Sequence, residues 1–349
     1  MKLRNILSGA FGAGVAYRNN LYDSGRLRVN ELRGSVVSIG NISVGGSGKT
    51  PFTIYLGNLL KQRGIAFDII SRGYRRQTTG ARIVDPNGSA RDFGDEPLLM
   101  ARELGVDVVV GEDRYHAGLL AERTWGPRLH LLDDAFQHRR LARQFDIVLV
   151  SPEDLTESLL PAGRLREPLS SLSRADAVVI TGDTDISKLP AAIPVWRLTR
   201  ELYVEKTDGG RSPSSDATHA GAPLKPSFGL SGSTHPLAFG GIAKPQAFFA
   251  QLRALGITPV AEISFRDHHR YTAADFRRLQ RLADLRQADS FITTAKDAIN
   301  LEPVWNPSVW GGHSCPPLLI AKLKLALDNA EASLQLILAT LSQRGHPAS

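Results

Sequence analysis

An α/β protein with a mostly parallel sheet flanked by helices, and a smaller C-terminal α/β domain, is predicted from three features of the chain. Short β-rich apolar runs alternate with helix-like segments through the first half. A glycine-rich turn joins the first of those runs to the first helix. A second strand–helix alternation begins after a polar stretch at 207–227 that is rich in Gly, Pro and Ser.

The candidate strands of the first half are 35–39, 66–70, 106–110, 129–132, 146–150 and 177–181, with helices at 50–63 and 113–123 between them. Alternation of this kind means βαβ units. A parallel sheet is covered on both faces, which explains near-continuous apolar strands such as Asp146-Ile-Val-Leu-Val150. The pattern breaks after Pro190. Residues 194–204 read as an extended linker and 207–227 as a surface loop. Strands are then predicted at 237–241, 258–263 and 290–294, helices at 245–255 and 272–285, and a last strand and helix within 316–342. The expected domains are an N-terminal segment at 1–34, a main domain at 35–190, a linker with its loop at 191–230 and a C-terminal domain at 231–345. A chain of 349 residues has room for two domains.

Apolar residues make up 42% of the chain, enough for a real core, and charged residues 22%, ordinary for a globular protein. The formal charge of +7 suits phosphate-bearing ligands, an anionic membrane or nucleic acid. No nucleic-acid recognition motif or aromatic-interleaved basic patch accompanies it. Cys315 is the single cysteine, which excludes an intramolecular disulfide and a cysteine-built zinc cluster.

The apolar stretch after Arg4 is too short and glycine-rich for a spanning helix, and no clear cleavage site marks a secretory signal. Leu3, Ile6, Leu7, Ala10 and Phe11 share one helical face. Residues 1–34 carry six basic side chains (Lys2, Arg4, Arg18, Arg26, Arg28, Arg33) against the acids Asp23 and Glu31. Such a helix either lies in the headgroup region of a membrane or packs on the core of its own domain.

The strongest local signal is Ser43-Val-Gly-Gly-Ser-Gly-Lys-Thr50, which follows a strand and opens a helix. Gly45, Gly46 and Gly48 let the backbone bend so that successive N–H groups of the binding loop, which also holds Ser43, Val44 and Ser47, face one anion, and the helix starting near Lys49 points its positive end there. Lys49 reaches the β- and γ-phosphates in such a loop, and the Thr50 hydroxyl sits on Mg²⁺. The usual pattern begins with Gly where this chain has Ser43. The alternative is a glycine-rich turn without a ligand. The strand–loop–helix context favours nucleotide binding, so the fold is read as P-loop NTPase-like.

A P-loop needs a carboxylate at the end of a neighbouring strand for its metal. Asp133 and Asp134 supply two at the end of 129–132; otherwise they are solvated acids at a strand end. Removing a proton from an alcohol needs a base. Asp95, in Gly94-Asp-Glu-Pro97, is one candidate; alternatively Asp95 or Glu96 caps a helix whose first residue is Pro97. Asp267-His268-His269 is a second candidate, or a surface turn. Arg114 and Arg166 are placed to stabilise spread phosphoryl charge, or to solvate the surface. Ser71-Arg72-Gly-Tyr74 follows a strand, where ligand-binding loops sit.

Taken together, several strings resemble the tetraacyldisaccharide 4′-kinase family. They are Gly40-Asn-Ile-Ser-Val-Gly-Gly-Ser-Gly-Lys-Thr-Pro51, Ser71-Arg-Gly-Tyr74, Gly94-Asp-Glu-Pro-Leu-Leu99, Asp133-Asp-Ala-Phe-Gln-His138, Leu160-Pro-Ala-Gly-Arg-Leu-Arg-Glu-Pro-Leu169, Asp267-His-His269 and Lys296-Asp297. They run in family order over about residues 35–300. The 133–138 and 160–169 strings are far more specific than the P-loop. Arg75, Ala135 and Ala295 stand where family members commonly have Gly, Gly and Glu.

The resemblance implies transfer of the γ-phosphate of ATP, with Mg²⁺, to the 4′-hydroxyl of a tetraacylated glucosamine disaccharide 1-phosphate in lipid A synthesis. It implies a peripheral enzyme on the cytoplasmic face of the bacterial inner membrane, held by the N-terminal segment, with no obligate protein partner. It implies Asp95 as base, assisted by His268, with Lys49, Arg114 and Arg166 in the catalytic centre. Thr50, Asp133, Asp134 and Glu167 are implied at the metal. Arg72, Tyr74, Gln137, His138 and His269 are implied at the lipid acceptor. Two other classes compete. A nucleotide switch or metal-delivery GTPase finds an imitation of its guanine-reading string in Thr294-Ala-Lys-Asp297. A P-loop kinase of a soluble small alcohol does not need the basic apolar N-terminus.

Overall fold

Apolar runs become strands in the computed structural model, which describes residues 2–206, 235–305 and 316–344. The chain folds as two compact units. The first runs to Arg200 and resumes at Leu325; the second is Glu201–Lys324. The surface loop expected at 207–227 lies outside the described residues.

In the first unit come α1 (Lys2–Asp23), β1 (Val36–Asn41), α2 (Lys49–Gln62), β2 (Phe67–Ser71), β3 (Arg82–Ile83), α3 (Ala90–Phe93), α4 (Asp95–Leu104), β4 (Val108–Val110), α5 (Arg114–Trp125), β5 (Leu129–Asp133), β6 (Phe145–Val150), β7 (Ala177–Thr181) and β8 (Val195–Lys206), which carries the chain into the second unit. The strand order is β8-β7-β6-β1-β5-β2-β4-β3. Every pairing is parallel except that of the short edge strand β3 with β4. All six residues of β1 are buried, as are those of β6, so helices cover both faces. On one side Ala117 and Ala121 of α5 pack on Ile70, Val109 and Leu132. Phe136 joins Val148, Val178 and Leu172 in a second cluster.

Two local expectations change. The run read as a linker is β8, and residues 195–198 are in register with β7. Its alternation of half-buried and exposed residues hides it from a search for apolar runs. Helix α4 starts at Asp95 rather than Pro97. Pro97 fits inside the first turn because N–H groups there have no helical acceptor.

At the amino ends of β2 and β5 lies a buried charge cluster. Asp68 and His130 are cross-strand neighbours, with His130 Nδ1 2.7 Å from Asp68 Oδ1. Arg128 donates to Asp68 at 2.9 Å and to Asp107 at 2.7 Å. His130 Nε2 lies 3.5 Å from Glu122, which itself accepts from the Gly34 N–H at 2.7 Å.

The second unit contains β9 (Pro236–Gly240), α6 (Pro245–Ala254), β10 (Ala261–Ser264), α7 (Ala273–Arg286), β11 (Ser290–Thr294), α8 (Ala295–Leu301) and β12 (Leu318–Leu327), which leads out of it. Its strands pair in parallel in the order β10-β9-β11-β12. Strand β10 begins two residues after Pro259, which has no N–H for the ladder. Phe239, Phe291, Leu279 and Tyr271 are central to its core. Helix α9 (Ala330–Arg344) belongs to the first unit, where Leu334 and Ile337 are buried.

Candidate active site

Functional side chains of the first unit gather at the carboxyl ends of its central strands, where open parallel sheets bind ligands. β1 ends at Asn41, and the 43–48 turn leads into α2 at Lys49. Gly48 has φ 86, and a Cβ there would lie 2.7 Å from the Arg200 guanidinium. A side chain at this position is therefore strained by the backbone and would push the Arg200 guanidinium aside. The turn is pinned from outside. Val44 N–H donates to the Arg164 carbonyl at 2.8 Å, Arg164 donates back to the Val44 carbonyl, and Arg200 donates to the Ser47 carbonyl at 2.7 Å. Burial lowers the Arg200 guanidinium, against the pull of Glu153.

Lys49 Nζ lies 3.2 Å from both Asn41 Oδ1 and Ser47 Oγ, and 3.5 Å from Asp134. Thr50 is buried beneath the turn. Asp133 and Asp134 end β5 with different environments. Asp133 is fully enclosed and receives the hydroxyls of Ser71 at 3.3 Å and Thr53 at 3.4 Å. Burial pushes its carboxyl well up, reinforced by Glu96 and Asp134 and opposed by Lys49 and Arg114. Asp134, at φ 49, meets Arg166 Nη1 at 3.2 Å. Burial raises its carboxyl, but Lys49, Arg166 and Arg114 outweigh that and hold it low.

Arg114 opens α5 behind its cap Asp113 and is buried. Burial lowers it to about 10 against the pull of Asp134. His138 is pushed down to about 4 by burial and by Arg114, so it is neutral near pH 7, and its buried Nε2 has no hydrogen-bond partner among the described residues. Gln137 spans the site, donating to the Asn41 carbonyl at 2.8 Å and approaching Arg166 at 3.4 Å.

Asp95 is buried at the start of α4 and accepts from the Glu96 N–H at 2.9 Å. The loop before it lies directly on the 71–74 turn: a Cβ on Gly94, at φ 92, would come 3.2 Å from Gly73 Cα. Arg72 and Tyr74 are exposed on that turn. Arg75 sits at φ 59, where glycine is relaxed, and its guanidinium lies 5.6 Å from the Tyr74 ring centre.

Helix α1 closes the site with an unusual seam. Ser8, Gly12, Val15, Asn19 and Tyr22 follow helical spacing and face the unit, a mostly small and polar set. Ser8 donates to the Leu159 carbonyl, Arg18 to the Gln137 carbonyl and Asn19 to Glu167 at 3.0 Å. Glu167 is also held by Arg174 at 2.8 Å, while its other oxygen is buried without a hydrogen-bond partner among the described residues. The apolar residues point outward, with Leu3 and Ile6 nearly 70% exposed and Leu7, Phe11 and Tyr17 also exposed. An open groove of about 410 Å³ lies there, lined by Phe11, Gly14, Val15 and Arg18 of α1 and by Gln137, Arg166 and Glu167.

In the second unit, His268 is at φ 58 with its ring 3.0 Å from Lys296 Nζ. His269 turns another way, bonding Asp275 at 3.1 Å and stacking on Phe265. Asp297 is buried, bonded to Gly241, Tyr271 and Thr294, and is not presented to a base as in a guanine-reading site.

Asn41, Arg164, Arg200, Asn19 and Arg174 are absent from the predicted site. Asn41 is the one of them with a local sign, a carboxamide closing an apolar strand immediately before the phosphate loop. The ensemble supplies an anion cradle, one ammonium, two acids in contrasting states and two arginines: the parts for binding a polyphosphate and stabilising a moving phosphoryl group.

Comparison with known proteins agrees with this chemistry. A family model described as tetraacyldisaccharide-1-P 4′-kinase matches residues 2–342. A tetraacyldisaccharide 4′-kinase of Koribacter versatilis is 46% identical over 348 residues, covering 97% of this chain and 99% of the relative. One of Geobacter metallireducens is 40% identical over 316 residues, covering 87% and 89%. The solved "apo" form of LpxK from Aquifex aeolicus in complex with ATP is similar with a TM-score of 0.74, at 34% identity over 96% of this chain and 97% of that one.

Proposed function

Because the chain belongs to the tetraacyldisaccharide-1-P 4′-kinase family, we infer its reaction from that membership and its residue roles from the resemblance of its motifs. The chain is an ATP-dependent kinase that phosphorylates the 4′-hydroxyl of the tetraacylated disaccharide 1-phosphate precursor of lipid A. Neither a nucleotide switch nor a kinase of soluble alcohols is favoured. The observation that carries the acceptor reading is the open groove where Phe11 and Val15 of α1 lie beside Gln137, Arg166 and Glu167, since Arg166 pairs with Asp134 and Asp134 with Lys49. An amphiphile with a polar head suits such a groove.

The 43–50 backbone cradles the triphosphate, and Lys49 neutralises the group that departs. Thr50, Asp133 and Asp134 offer oxygen donors only, the donor set of Mg²⁺. The crowding of Asp133 by Asp134 and Glu96 is what a divalent cation relieves. Among the described residues no three acids or histidines form a cage, and Mg²⁺ ordinarily keeps several waters and phosphate oxygens beside one or two carboxylates. Glu167 is assigned to the same charge cluster. Mg²⁺ held by Thr50, Asp133 and Asp134 would supply neutralisation of the charge that develops on the phosphates. Arg114 and Arg166 steady the transferring group. Asp95 takes the proton of the acceptor hydroxyl, and His268 assists it. Arg72, Tyr74, Gln137 and His138 hold the head group, with His269 supporting its loop.

A direct test is transfer from ATP to detergent-solubilised tetraacyl disaccharide 1-phosphate, with the new phosphate located by NMR. Transfer to the 4′-oxygen is expected; hydrolysis without transfer, or a preference for GTP, overturns this reading.

The outward apolar face of α1 supports peripheral attachment at the cytoplasmic face of the bacterial inner membrane. Among the described residues no helix is long and apolar enough to cross a membrane. Replacing Leu3, Ile6 and Leu7 with Ser should weaken vesicle binding roughly tenfold or more, since each buried side chain of this size contributes about 1.5–3 kcal/mol. Unchanged flotation with vesicles would refute attachment through this face.

A further inference from the structure

We propose that Lys296 is a positioning residue for His268, and that the Thr294–Asp297 turn is the clip that holds it there. This rests on the reading of His268 as the assistant to the base. β11 ends at Thr294, which caps α8: its hydroxyl meets Asp297 Oδ2 at 2.7 Å and accepts from the Asp297 N–H at 3.2 Å. Asp297 is 1% exposed, and its other oxygen accepts from the Gly241 N–H at 2.8 Å and from the Tyr271 hydroxyl at 2.9 Å. One carboxylate thus joins the end of β9, the far side of the 265–271 loop and the first turn of α8. His268 is tied to the same place, its N–H donating to the Gly241 carbonyl at 3.0 Å.

Lys296, one residue before Asp297, is aimed by that clip. Its Nζ lies 3.0 Å from His268 Nε2 and 3.4 Å from Asp267 Oδ1. Asp267 itself is 3.9 Å from His268 Nε2, beyond a hydrogen bond. The lysine therefore bridges the acid and the imidazole. An ammonium has three donors and no acceptor. Nε2 must accept, which places the proton of the neutral ring on Nδ1. The ring is fixed in one tautomer, with its N–H at Nδ1. A string that looks like a nucleotide-reading motif thereby acquires a different task, orienting an imidazole.

The test uses Lys296→Met and Lys296→Arg in the full chain, alone and with His268→Ala. Lys296→Met is expected to lower kcat roughly 10- to 100-fold, the scale of a misplaced catalytic group. KM for ATP and the unfolding midpoint should be unchanged. In ¹⁵N-histidine spectra the His268 signal should move from the Nδ1–H form to a mixture. Lys296→Arg, which keeps the charge and the donors, should restore part of the rate. In the His268→Ala background Lys296→Met should have no further effect. An equal loss with and without His268, or an unmoved tautomer signal, overturns the proposal. If His268→Ala alone leaves kcat intact, the role given to His268 is what fails.

Discussion

Asp95→Asn is expected to lower kcat by roughly 10²–10⁴-fold, the range for loss of a general base, while ATP affinity stays nearly constant. The amide keeps the local fold. Its oxygen still accepts from the Glu96 N–H, the contact that Asp95 makes at the start of α4 at 2.9 Å. What disappears is the capacity to take a proton. Single-turnover kinetics with saturating ATP should show the whole defect in the chemical step, and nucleotide titration should show almost none. Near-normal turnover would remove Asp95 from the base role and return it to capping.

Asp68→Asn should destabilise the first unit by about 3–5 kcal/mol, the cost of breaking a buried ion pair from one side. Asp68 is fully buried and serves His130 and Arg128 together, so the amide leaves two cationic partners half satisfied. Burial opposes charge on His130, but Asp68 and Glu122 outweigh it and raise the imidazole to about 9. The unfolded value is about 6.5. Protonation is thus favoured by folding. The stabilisation is complete below about pH 6.5 and disappears as pH rises through about 9. Denaturant midpoints measured from pH 6 to pH 10 should fall for the natural chain and stay flatter for the variant. Identical slopes would mean that His130 is neutral in the fold. Kinase activity of the folded fraction should be preserved, because the cluster is at the amino ends of the strands and Asp133 closes the other end of β5.

Much of this architecture is visible in single letters. The buried strands are apolar runs, and Gly48-Lys-Thr50 after such a run has few structural meanings. The paired acids at 133–134 announce themselves in the same way. Strand β8 escapes because exposed Arg197 and Thr199 alternate with half-buried residues, giving no continuous run. Helix α4 escapes because Pro97 reads as a helix start when it is a third residue. Arg200 cannot be found locally at all: its partner Ser47 lies 153 positions away. Asn19 and Glu167 are 148 apart for the same reason. Long-range pairing of polar groups is set by the path of the chain and leaves no periodic trace. Asp297 shows the converse hazard, a familiar string whose carboxylate is spent inside the fold.

The return of α9 to the first unit has a consequence during synthesis. The unit that holds Lys49 and Asp133 is interrupted at Arg200 and resumed only at Leu325, so a ribosome must add the whole second unit before the first can be finished. At about 5–20 residues per second, tens of seconds separate the appearance of α1 from that of α9. Throughout that interval Leu3, Ile6 and Leu7 are already synthesised, whereas the surface that Leu334 and Ile337 will cover is still bare. The outward face of α1 is therefore made before the nucleotide unit can close, and the helix emerges well ahead of the completed fold.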